Sequence, residues 1–510
     1  MGSLPLDAPM KPLDPHAIAG DSQAILEFLA EYYGDVDKYP VRAADLEPGR
    51  VRKLLPEAAP EHGEPMEHIL EDVRRDILPG LTHWQSPRFF AFFPMNASSA
   101  GLAGEMLSVG LNVVPFVWAA SPAAAELESV VVDWMARLFS LPRRFLFSGG
   151  GGGVLQGSTC EAVVCTLAAA RDRALGRLGG HEAIARLVVY ASDQTHATFQ
   201  KGARLVGIPS SNFRVIRTSA ASGYGLTAEA VRAAVDRDVG LGLVPLYLCA
   251  TVGTTGLGAV DHVRELGEEA RRHGMWVHLD AAYAGSAAIC PEFQDYLDGA
   301  ELADSVSMNP HKWFLTNMDC CCLWVARPRD LTSALSTDPE YLKNVGADGG
   351  GAGKPAAIDY KDWQISMSRR FRAIKLWVIL RRYGAAGMRA HIRRHVAAAK
   401  WFEQRVAADE RFEVVVPRRF SLVCFRLAPR FGRDDDDGDD ATNHVNRDLL
   451  AAVNASGRAF MTHFVVDGKF VIRLAVGGAS TELQHVMEVW DLLRGKAAEV
   501  LQHYVKPNGL

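Results

Sequence analysis

The sequence predicts an α/β protein with a largely parallel sheet, preceded by a helical arm and followed by a smaller α+β segment. Three observations predict this class. From about residue 125 to 330, short apolar runs alternate with Ala-rich helical stretches. Before them, helical periodicity is broken repeatedly by proline, and beyond residue 396 short strand-like runs alternate with helices. A chain of 510 residues is long enough for several such units.

The N-terminal segment, residues 1–105, is predicted to be an arm and not a compact domain. Residues 24–29 are amphipathic, and the following stretch is interrupted by Pro40, Pro56, Pro60 and Pro65. Helices with exposed apolar faces need a surface to pack against, and a second subunit is the usual one. We therefore expect a homodimer.

The central segment, residues 106–395, is predicted to hold the sheet. Its strand-like runs are residues 187–190, 213–216, 246–249, 275–279 and 322–325. Helical stretches such as 227–235 and 263–272 lie between them. Repeated strand and helix units give a mostly parallel sheet with helices on both faces, and ligands bind beyond the carboxyl ends of its strands.

Two later segments carry separate expectations. Residues 338–357 are rich in Gly, Asp, Lys and Pro, which predicts a mobile loop that closes over an active site. Residues 396–510 are predicted to form a small α+β domain with strands at 412–416, 421–425 and 470–474. Within it the acidic run 434–440 is interpreted as a solvated insertion, with a partner contact as the alternative.

Composition excludes several classes of protein. A net charge of -5 gives no reason to expect a nucleic-acid partner, and no apolar run reaches 18 residues, so no membrane span is expected. The N-terminus lacks a basic segment followed by an apolar run, so we expect a cytosolic protein. Eight cysteines, three of them adjacent, indicate reduced thiols. His391 and His395 lack a third ligand nearby, so no metal is expected.

Lys312 is the first candidate for chemistry. It stands in the run NPHKW, after the strand-like residues 305–308. At a strand end, loss of hydration can lower the pKa of an amine enough to make it nucleophilic. Taken alone, a surface lysine is the more common interpretation.

Asp280 is the second candidate. It ends the apolar run 275–279 and is followed by small residues, including Ala282. A carboxylate there is costly unless it is paired, and a protonated pyridine nitrogen is a suitable partner, with Ala282 leaving room for a flat ring. An aspartate that caps the next helix is the alternative.

Donors for a phosphate follow from a glycine run. Residues 149–153 lead through Thr159 into an Ala-rich helix, whose N-terminal N–H groups can bind an anion; a plain capped helix is the alternative. The run is not a Walker loop. Thr254 or Thr255 could add a donor, and His196 could stack on a ring, although a lone histidine is usually structural. Together these residues meet the needs of pyridoxal 5′-phosphate (PLP).

The chain resembles the PLP-dependent aromatic L-amino acid decarboxylases (group II decarboxylases), which include plant tyrosine and tryptophan decarboxylases and animal dopa decarboxylase. The resemblance runs from residue 82 to residue 473, and its motifs are residues 82–87, 118–122, 192–196, 280–285, 309–313 and 369–372. It is strongest to the plant tyrosine/dopa decarboxylases. It implies the aspartate-aminotransferase-like fold (fold type I), a large PLP-binding domain and a dimer with its active site at the subunit interface.

The resemblance also assigns residue roles. It makes Lys312 the Schiff-base lysine, Asp280 the partner of the pyridinium and His196 the stacking residue. The cofactor-binding positions that it implies are Thr159, Cys160, His196, Thr255, Asp280, Ala282, Asn309, His311 and Lys312. Cys160 departs from the usual serine of the family, and because a thiol is a weaker hydrogen-bond donor than a hydroxyl, the affinity for the cofactor is in doubt.

The implied substrate contacts are Trp84, Phe92, Phe93, Pro94, Ser368 and, from the other subunit, Phe116. Plant members that prefer indole substrates generally carry glycine at the position of Ser368, whereas members that prefer tyrosine or dopa carry serine. A buried hydroxyl that meets a phenol can discriminate against rings that lack one. Ser368 also precedes a helix, so capping is the alternative.

Tyr341, in the predicted mobile loop, decides the expected product. In the family, a tyrosine there returns a proton to the substrate α-carbon, whereas members with phenylalanine tend to be aldehyde synthases. We therefore expect decarboxylation of tyrosine or dopa to tyramine or dopamine and CO2. The alternatives are a tryptophan decarboxylase that yields tryptamine, a phenylacetaldehyde-type aldehyde synthase and, remotely, a non-catalytic scaffold of the same fold.

Overall fold

The computed structural model describes residues 12–44, 46–337, 357–429 and 438–504. The α-helices are α1 (Pro15–Asp35), α2 (Arg50–Leu54), α3 (Met66–Asp72), α4 (Ser99–Leu111), α5 (Pro122–Leu138), α6 (Thr159–Leu178), α7 (Thr198–Leu205), α8 (Ala228–Gly240), α9 (Val263–Arg272), α10 (Pro310–Trp313), α11 (Pro328–Leu335), α12 (Arg372–Ala408), α13 (Gly438–Ala455) and α14 (Leu483–Tyr504).

The strands form two sheets. They are β1 (Gly152–Gln156), β2 (Leu187–Ser192), β3 (Phe213–Ile216), β4 (Val244–Thr251), β5 (Trp276–Asp280), β6 (Ser305–Met308), β7 (Cys321–Val325), β8 (Phe412–Arg419), β9 (Leu422–Leu427), β10 (Thr462–Val466) and β11 (Lys469–Ala475). The seven-stranded sheet has the order β1-β7-β6-β5-β4-β2-β3, and the four-stranded sheet the order β10-β11-β9-β8.

The large sheet confirms the predicted fold class. Strands β2, β3, β4, β5 and β6 pair in parallel, and β7 is antiparallel to both of its neighbours. Every residue of β2 and β5 is buried, as expected for strands that are covered on both faces. The smaller sheet is antiparallel throughout. Helices α12 and α13 pack on it, and α14 contacts β8 through Trp490 and Phe412, which confirms a C-terminal α+β unit.

The topology brings the ends of several strands to one edge. Since β7 runs opposite to both β1 and β6, β1 points the same way as β6. The carboxyl ends of β1, β4, β5 and β6 therefore lie at the same edge of the sheet, where ligands of such sheets bind. The N-terminus of α6 and the short helix α10 follow two of these strands.

The glycine run 149–153 leads into the first strand of the large sheet. Gly152 and Gly153 belong to β1, an edge strand in tight contact with its surroundings. A Cβ atom on Gly151 would lie 2.0 Å from the carbonyl oxygen of Arg144, and one on Gly153 would lie 2.8 Å from Cδ1 of Trp324. The glycines allow close packing of the backbone here.

The N-terminal arm leaves apolar side chains exposed. None of the residues of α1 is buried, and Ile18, Ile25, Leu26 and Tyr33 are exposed. The predicted boundary at 105/106 lies within α4, and the boundary at 395/396 lies within α12. Helix α12 packs against α4 and α5 of the large domain and against β8 and α14 of the small one. The exact domain limits stay a prediction.

Several predicted features lie outside the described residues or concern the absence of a membrane span or a metal site. Most of the predicted loop 338–357, with Tyr341, and most of the acidic run 434–440 lie outside the described residues. Among the described helices, none is both long and apolar enough to cross a membrane. Within the same residues, no group of three His, Cys, Asp or Glu side chains is arranged to hold a metal ion. His391 and His395 are a buried pair whose rings meet edge to face.

Candidate active site

Lys312 lies at the sheet edge, in the single turn of α10 that follows β6. Its Nζ is 5.9 Å from the centre of the Phe93 ring. Burial lowers the pKa of this amine, while the Asp280 carboxylate acts in the opposite direction. Among the described residues, Nζ makes no hydrogen bond or ion pair. A desolvated amine with a lowered pKa is the form that attacks a carbonyl carbon.

Asp280 ends β5 and is 6% exposed. Its Oδ1 accepts the N–H of Ala282 at 3.0 Å, and its main-chain carbonyl accepts the N–H of Val252 at 2.9 Å. The alternative that Asp280 caps the next helix is wrong, since the turn after it begins at Ala284 and has Tyr283 as its N-cap. The carboxylate has no ion pair within the described chain, although burial makes an unpaired charge costly.

The amine and the carboxylate fit PLP. They act on each other electrostatically but do not approach within ion-pair distance. A ring that carries an aldehyde and a protonated nitrogen would give each of them a partner. The residues present therefore match the donor and acceptor needs of this cofactor.

The phosphate end of the candidate site lies at the start of α6. The N-cap residue of this helix, Ser158, makes no side-chain capping hydrogen bond, so the plain capped helix is not what the structure has. The Thr159 hydroxyl donates to Oδ1 of Asn309 at 3.0 Å, and the N–H of Asn309 donates to the carbonyl of Ala282 at 3.1 Å. Cys160 is half-buried beside them. This leaves the N–H groups of α6 available to an anion.

The two threonines after β4 differ. Thr254 is fully buried, and its Oγ1 accepts the N–H of Ala259 at 3.0 Å. Thr255 is half-buried. Thr254 therefore holds its own turn, and Thr255 is the better placed of the two to donate to a ligand.

The two histidines of the predicted site also differ. His196 is exposed, its Nδ1 is 2.8 Å from the Thr198 hydroxyl, and partial burial together with Lys312 lowers its pKa. His311 is buried, and its Nδ1 accepts the N–H of Cys320 at 3.0 Å. Burial lowers the pKa of His311 to about 4. His196 is thus free to cover a ring, while His311 supports the turn before β7.

Aromatic side chains form a wall beside Lys312. Phe93 is buried and stacks on Tyr283 with ring centres 3.5 Å apart. Pro94 is buried next to it. Phe92 has a positive φ of 54° and is 46% exposed, and its ring stacks on Trp84 at 5.6 Å. Of these four predicted substrate residues, Phe93 borders the lysine side chain, and Trp84 is connected to Phe93 through the adjacent Phe92.

Phe116 and Ser368 lie near each other but are not joined to this wall. Arg369 donates to the carbonyl of Pro115 at 3.3 Å, which links the two segments. Ser368 is exposed and borders a cavity of about 330 Å³. Within the described part of the chain, no hydrogen bond, ion pair or ring contact connects either residue with Lys312. The capping alternative for Ser368 is wrong, since the N-cap of α12 is Phe371.

Arg369 and Glu128 form a buried ion pair that was not predicted from the sequence. Their side chains are fully buried, and the guanidinium donates to both carboxylate oxygens, at 2.9 and 2.7 Å. Each also bonds the backbone of Leu155 in β1. Arg369 stood in a family motif, which was the available signal, but its partner is 241 residues away. The pair connects β1 with the segments of Phe116 and Ser368.

Arg473 was also given no role. Its guanidinium is buried and donates to the carbonyls of Gly256 at 2.9 Å and Phe92 at 3.2 Å and to the Thr462 hydroxyl at 2.9 Å. It therefore joins the small sheet to the turn after β4 and to the aromatic wall. Burial lowers the pKa of this guanidinium.

His278 supports Asp280 from within the sheet. It lies two residues earlier in β5, fully buried, with Nδ1 2.8 Å from the Ser305 hydroxyl and Nε2 3.1 Å from the Ser307 hydroxyl. Burial lowers its pKa to about 4. The neutral imidazole, with a hydrogen bond at each nitrogen, fixes β5 against β6 at the ends of the two strands. An isolated histidine in an apolar run gave no signal of this.

Comparison with known proteins agrees with this geometry. Residues 48–428 match the family described as the pyridoxal-dependent decarboxylase conserved domain. The chain is 52% identical to tyrosine decarboxylase 1 of Narcissus pseudonarcissus, over 97% of this chain and 95% of that protein. It is also 52% identical to the phenylacetaldehyde synthase of a Rosa hybrid cultivar, over 97% and 96%.

A solved structure extends the comparison to three dimensions. The Oryza sativa TDC with PLP and tryptamine superposes with a TM-score of 0.93 at 44% identity, covering 97% of this chain and 100% of that one. The aspartate-aminotransferase-like fold and the PLP cofactor expected from the sequence are thereby confirmed. The chain belongs to the pyridoxal-dependent decarboxylase family, and within it to the aromatic L-amino acid decarboxylases, lyases that use PLP.

Proposed function

We propose that this enzyme decarboxylates L-tyrosine or L-dopa to tyramine or dopamine and CO2. One observation carries the proposal. The desolvated Lys312 amine and the buried Asp280 carboxylate face the same space, and the aromatic ring of Phe93 borders it. An aromatic wall beside a PLP lysine suits a substrate with an aromatic side chain.

In this proposal, each group of the chain has a separate task. PLP, when bound, accepts the electron pair left on the α-carbon when CO2 departs. The lowered pKa of Lys312 keeps part of its amine unprotonated and able to bind the aldehyde carbon covalently. Asp280 holds a proton on the pyridine nitrogen, and His196 covers one ring face. Thr159, whose hydroxyl is bonded to Asn309, would bind the phosphate through its N–H, together with the other N–H groups of α6 and the side chains of Cys160 and Thr255.

Tyr341 is proposed as the acid that returns a proton to the α-carbon, which gives an amine. The support is the identity of the residue, since Tyr341 lies outside the described residues. Overall similarity does not separate the outcomes, because a tyrosine decarboxylase and a phenylacetaldehyde synthase are equally identical to this chain. An aldehyde synthase is therefore the second candidate.

Ser368 supports tyrosine or dopa over tryptophan. Its hydroxyl is free of the capping role that was its alternative, so it can meet the phenol of a substrate. The Oryza sativa relative, solved with tryptamine, makes tryptophan the competing substrate. The proposed preference for tyrosine or dopa over tryptophan depends on Ser368 more than on the aromatic residues of the wall.

We also propose a homodimer in which Phe116 and Ser368 of one subunit complete the wall of the other. Among the described residues of one chain, neither Phe116 nor Ser368 is connected to Lys312 by a hydrogen bond, ion pair or ring contact. Beside them, α4 and the residues after it expose apolar side chains, including Val109, 61% exposed, and Leu111, 57% exposed. Covering such a surface with a second copy would bury it and bring the two halves of the site together.

A four-substrate comparison tests the proposed reaction. The purified enzyme is incubated with labelled L-tyrosine, L-dopa, L-phenylalanine and L-tryptophan, and amine, aldehyde and hydrogen peroxide are measured. We expect tyramine and dopamine as main products without peroxide. Faster use of tryptophan than of tyrosine would reject the preference, and aldehyde with peroxide would reject the role of Tyr341. Borohydride should fix the cofactor to the wild type but not to Lys312→Ala.

The dimer is tested by a charge placed on the exposed apolar surface. Val109→Glu should shift the protein from dimer to monomer in analytical ultracentrifugation and remove activity. Leu241→Glu is a matched control, because Leu241 is also exposed, at 71%, but lies at the end of α8. A Val109→Glu variant that remains an active dimer would reject this interface. The cytosolic location stays a prediction from the sequence.

A further inference from the structure

Trp313, the residue after Lys312, is hydrogen-bonded to the long helix α12, which packs on both domains. Trp313 is buried, and its indole N–H donates to Nδ1 of His395 in α12 at 2.9 Å. An indole N–H can only donate, so Nδ1 of His395 must be unprotonated to accept it. Burial, which lowers the pKa of His395 to about 4, maintains that state. His395 is 2% exposed, so water does not compete for this bond.

Trp313 is the base of a stack of three rings that ends at the substrate wall. Its ring lies on Tyr283 at 5.1 Å and 16°, and Tyr283 lies on Phe93 at 3.5 Å and 11°. Lys312 Nζ lies 5.9 Å from the centre of the Phe93 ring. The backbone on one side of the lysine and the ring beside its amine are therefore connected by continuous contact.

The stack is fixed at a second point. The Ser421 hydroxyl donates its one proton to the carbonyl of Val476 at 2.6 Å. The hydroxyl of Tyr283 lies 2.8 Å from Oγ of Ser421. Because the Ser421 proton is already donated, the Tyr283 hydroxyl must be the donor in this bond. Both anchors of the stack, Ser421 and His395, thus belong to the C-terminal part of the chain.

The same part of the chain also reaches the lysine backbone. The Asn96 amide donates to the main-chain carbonyls of Lys312 and of Gly477, the latter at 2.9 Å. The backbone of Gly478 and Thr481, in the turn after β11, lies beside His395 and opposes the lowering of its pKa. Lys312 is therefore held on both sides by groups that reach the turn after β11.

We propose that His395 is a positioning residue for Lys312 and Phe93, acting through the hydrogen bond from Trp313 and the three-ring stack. It touches neither cofactor nor substrate. His395 fixes the plane of the Trp313 ring. It thereby sets the orientation of the adjacent Lys312 side chain and the position of the Phe93 ring relative to the Lys312 amine. The inference rests on the proposed role of Lys312 as the cofactor lysine but not on which amino acid is the substrate.

The test removes the hydrogen bond from each end. Trp313→Phe keeps a ring but loses the donor, and His395→Leu loses the acceptor. In the holoenzyme, each should lower kcat about fivefold, with a smaller change in KM, and shift the pH midpoint of cofactor absorbance by about half a unit. The double variant should be no worse than either single one, because both remove the same interaction.

Two further variants separate positioning from general stability. His395→Asn places an amide oxygen close to the position of Nδ1 and should restore kcat and the absorbance midpoint to within about twofold and a few tenths of a unit. His391→Leu alters a buried neighbour on the same helix that makes no hydrogen bond to the stack, and it should leave both readouts unchanged. If His395→Leu does not fold, Trp313→Phe and His395→Asn still give the comparison.

The outcomes that overturn the inference are distinct. Multiplicative losses in the double variant, unchanged readouts in Trp313→Phe, or equal effects of His391→Leu and His395→Leu would each reject the coupling. A wild-type protein without a lysine-bound chromophore would reject the role of Lys312 and the coupling together. A normal wild type with an unresponsive Trp313→Phe variant would reject the coupling alone.

Discussion

The cofactor end of the site and the substrate wall differ in how completely one chain builds them. Lys312, Asp280 and Thr159 lie at strand and helix ends that the sheet holds together, and their neighbours are buried. The wall is split. Phe93 is buried beside the lysine, whereas Ser368 is exposed on a segment with no bond to it. The residues proposed for the cofactor are thus placed by the fold of one chain, whereas part of the proposed substrate wall is not.

The largest effect is expected where the cofactor end is broken. Asp280→Asn keeps an oxygen to accept the Ala282 N–H but removes the charge that would hold a proton on the pyridine nitrogen. We expect kcat/KM to fall about a thousandfold, or ~4 kcal/mol of transition-state stabilisation. Steady-state kinetics measure this, and thermal unfolding should be nearly unchanged. Activity within tenfold of wild type would contradict it.

The next effect concerns the connection between the two regions. Glu128→Gln leaves the Arg369 guanidinium buried without a carboxylate, and this should lower the free energy of unfolding by about 3 kcal/mol. Denaturant midpoints measure the loss. Arg370→Gln is the matched control, since Arg370 is 46% exposed beside Glu105 and should lose less than about 1 kcal/mol. Equal losses would show that burial of the ion pair does not matter.

A smaller effect should alter the wall and spare the cofactor end. Ser368→Gly removes the hydroxyl proposed to meet a phenol, so the ratio of kcat/KM for tyrosine to that for tryptophan should fall about tenfold. Competition assays with both substrates measure the ratio. Ser366→Gly, at a nearby exposed serine, should leave it unchanged. A shift in both variants would indicate a change of the backbone and not of recognition.

The smallest effect should strengthen the cofactor end. Cys160→Ser replaces a weak donor with a hydroxyl at the start of α6, and the Kd for PLP should fall about threefold, or ~0.6 kcal/mol. Fluorescence titration of the apoenzyme with PLP measures the change. Cys160→Ala, which lacks any donor, should bind no better than the wild type. Tighter binding by the alanine variant would mean that size and not hydrogen bonding decides.

The residues at the strand ends could be predicted from the sequence, but the contacts that support them could not. The strand ends could be predicted, because apolar runs that stop at Asp280 or just before Asn309 are visible locally. The contacts that support them could not, because the partners are far apart in the chain. Glu128 meets Arg369, and Trp313 meets His395 across 82 residues. His395 was interpreted as a surface or core histidine, and the structure shows it buried, but its partner Trp313 could not be predicted because the fold brings the two together.

Helix α12 connects the two hydrophobic cores of this chain, and we therefore expect them to unfold together. It spans 37 residues, changes direction at Gly384, where φ is +63°, and contributes buried side chains to both hydrophobic cores. Removing the C-terminal sheet would expose Phe402 and Val406 of a helix whose first half still belongs to the large domain. Limited proteolysis should therefore yield no stable fragment that ends near residue 395, and both cores should unfold in one cooperative transition.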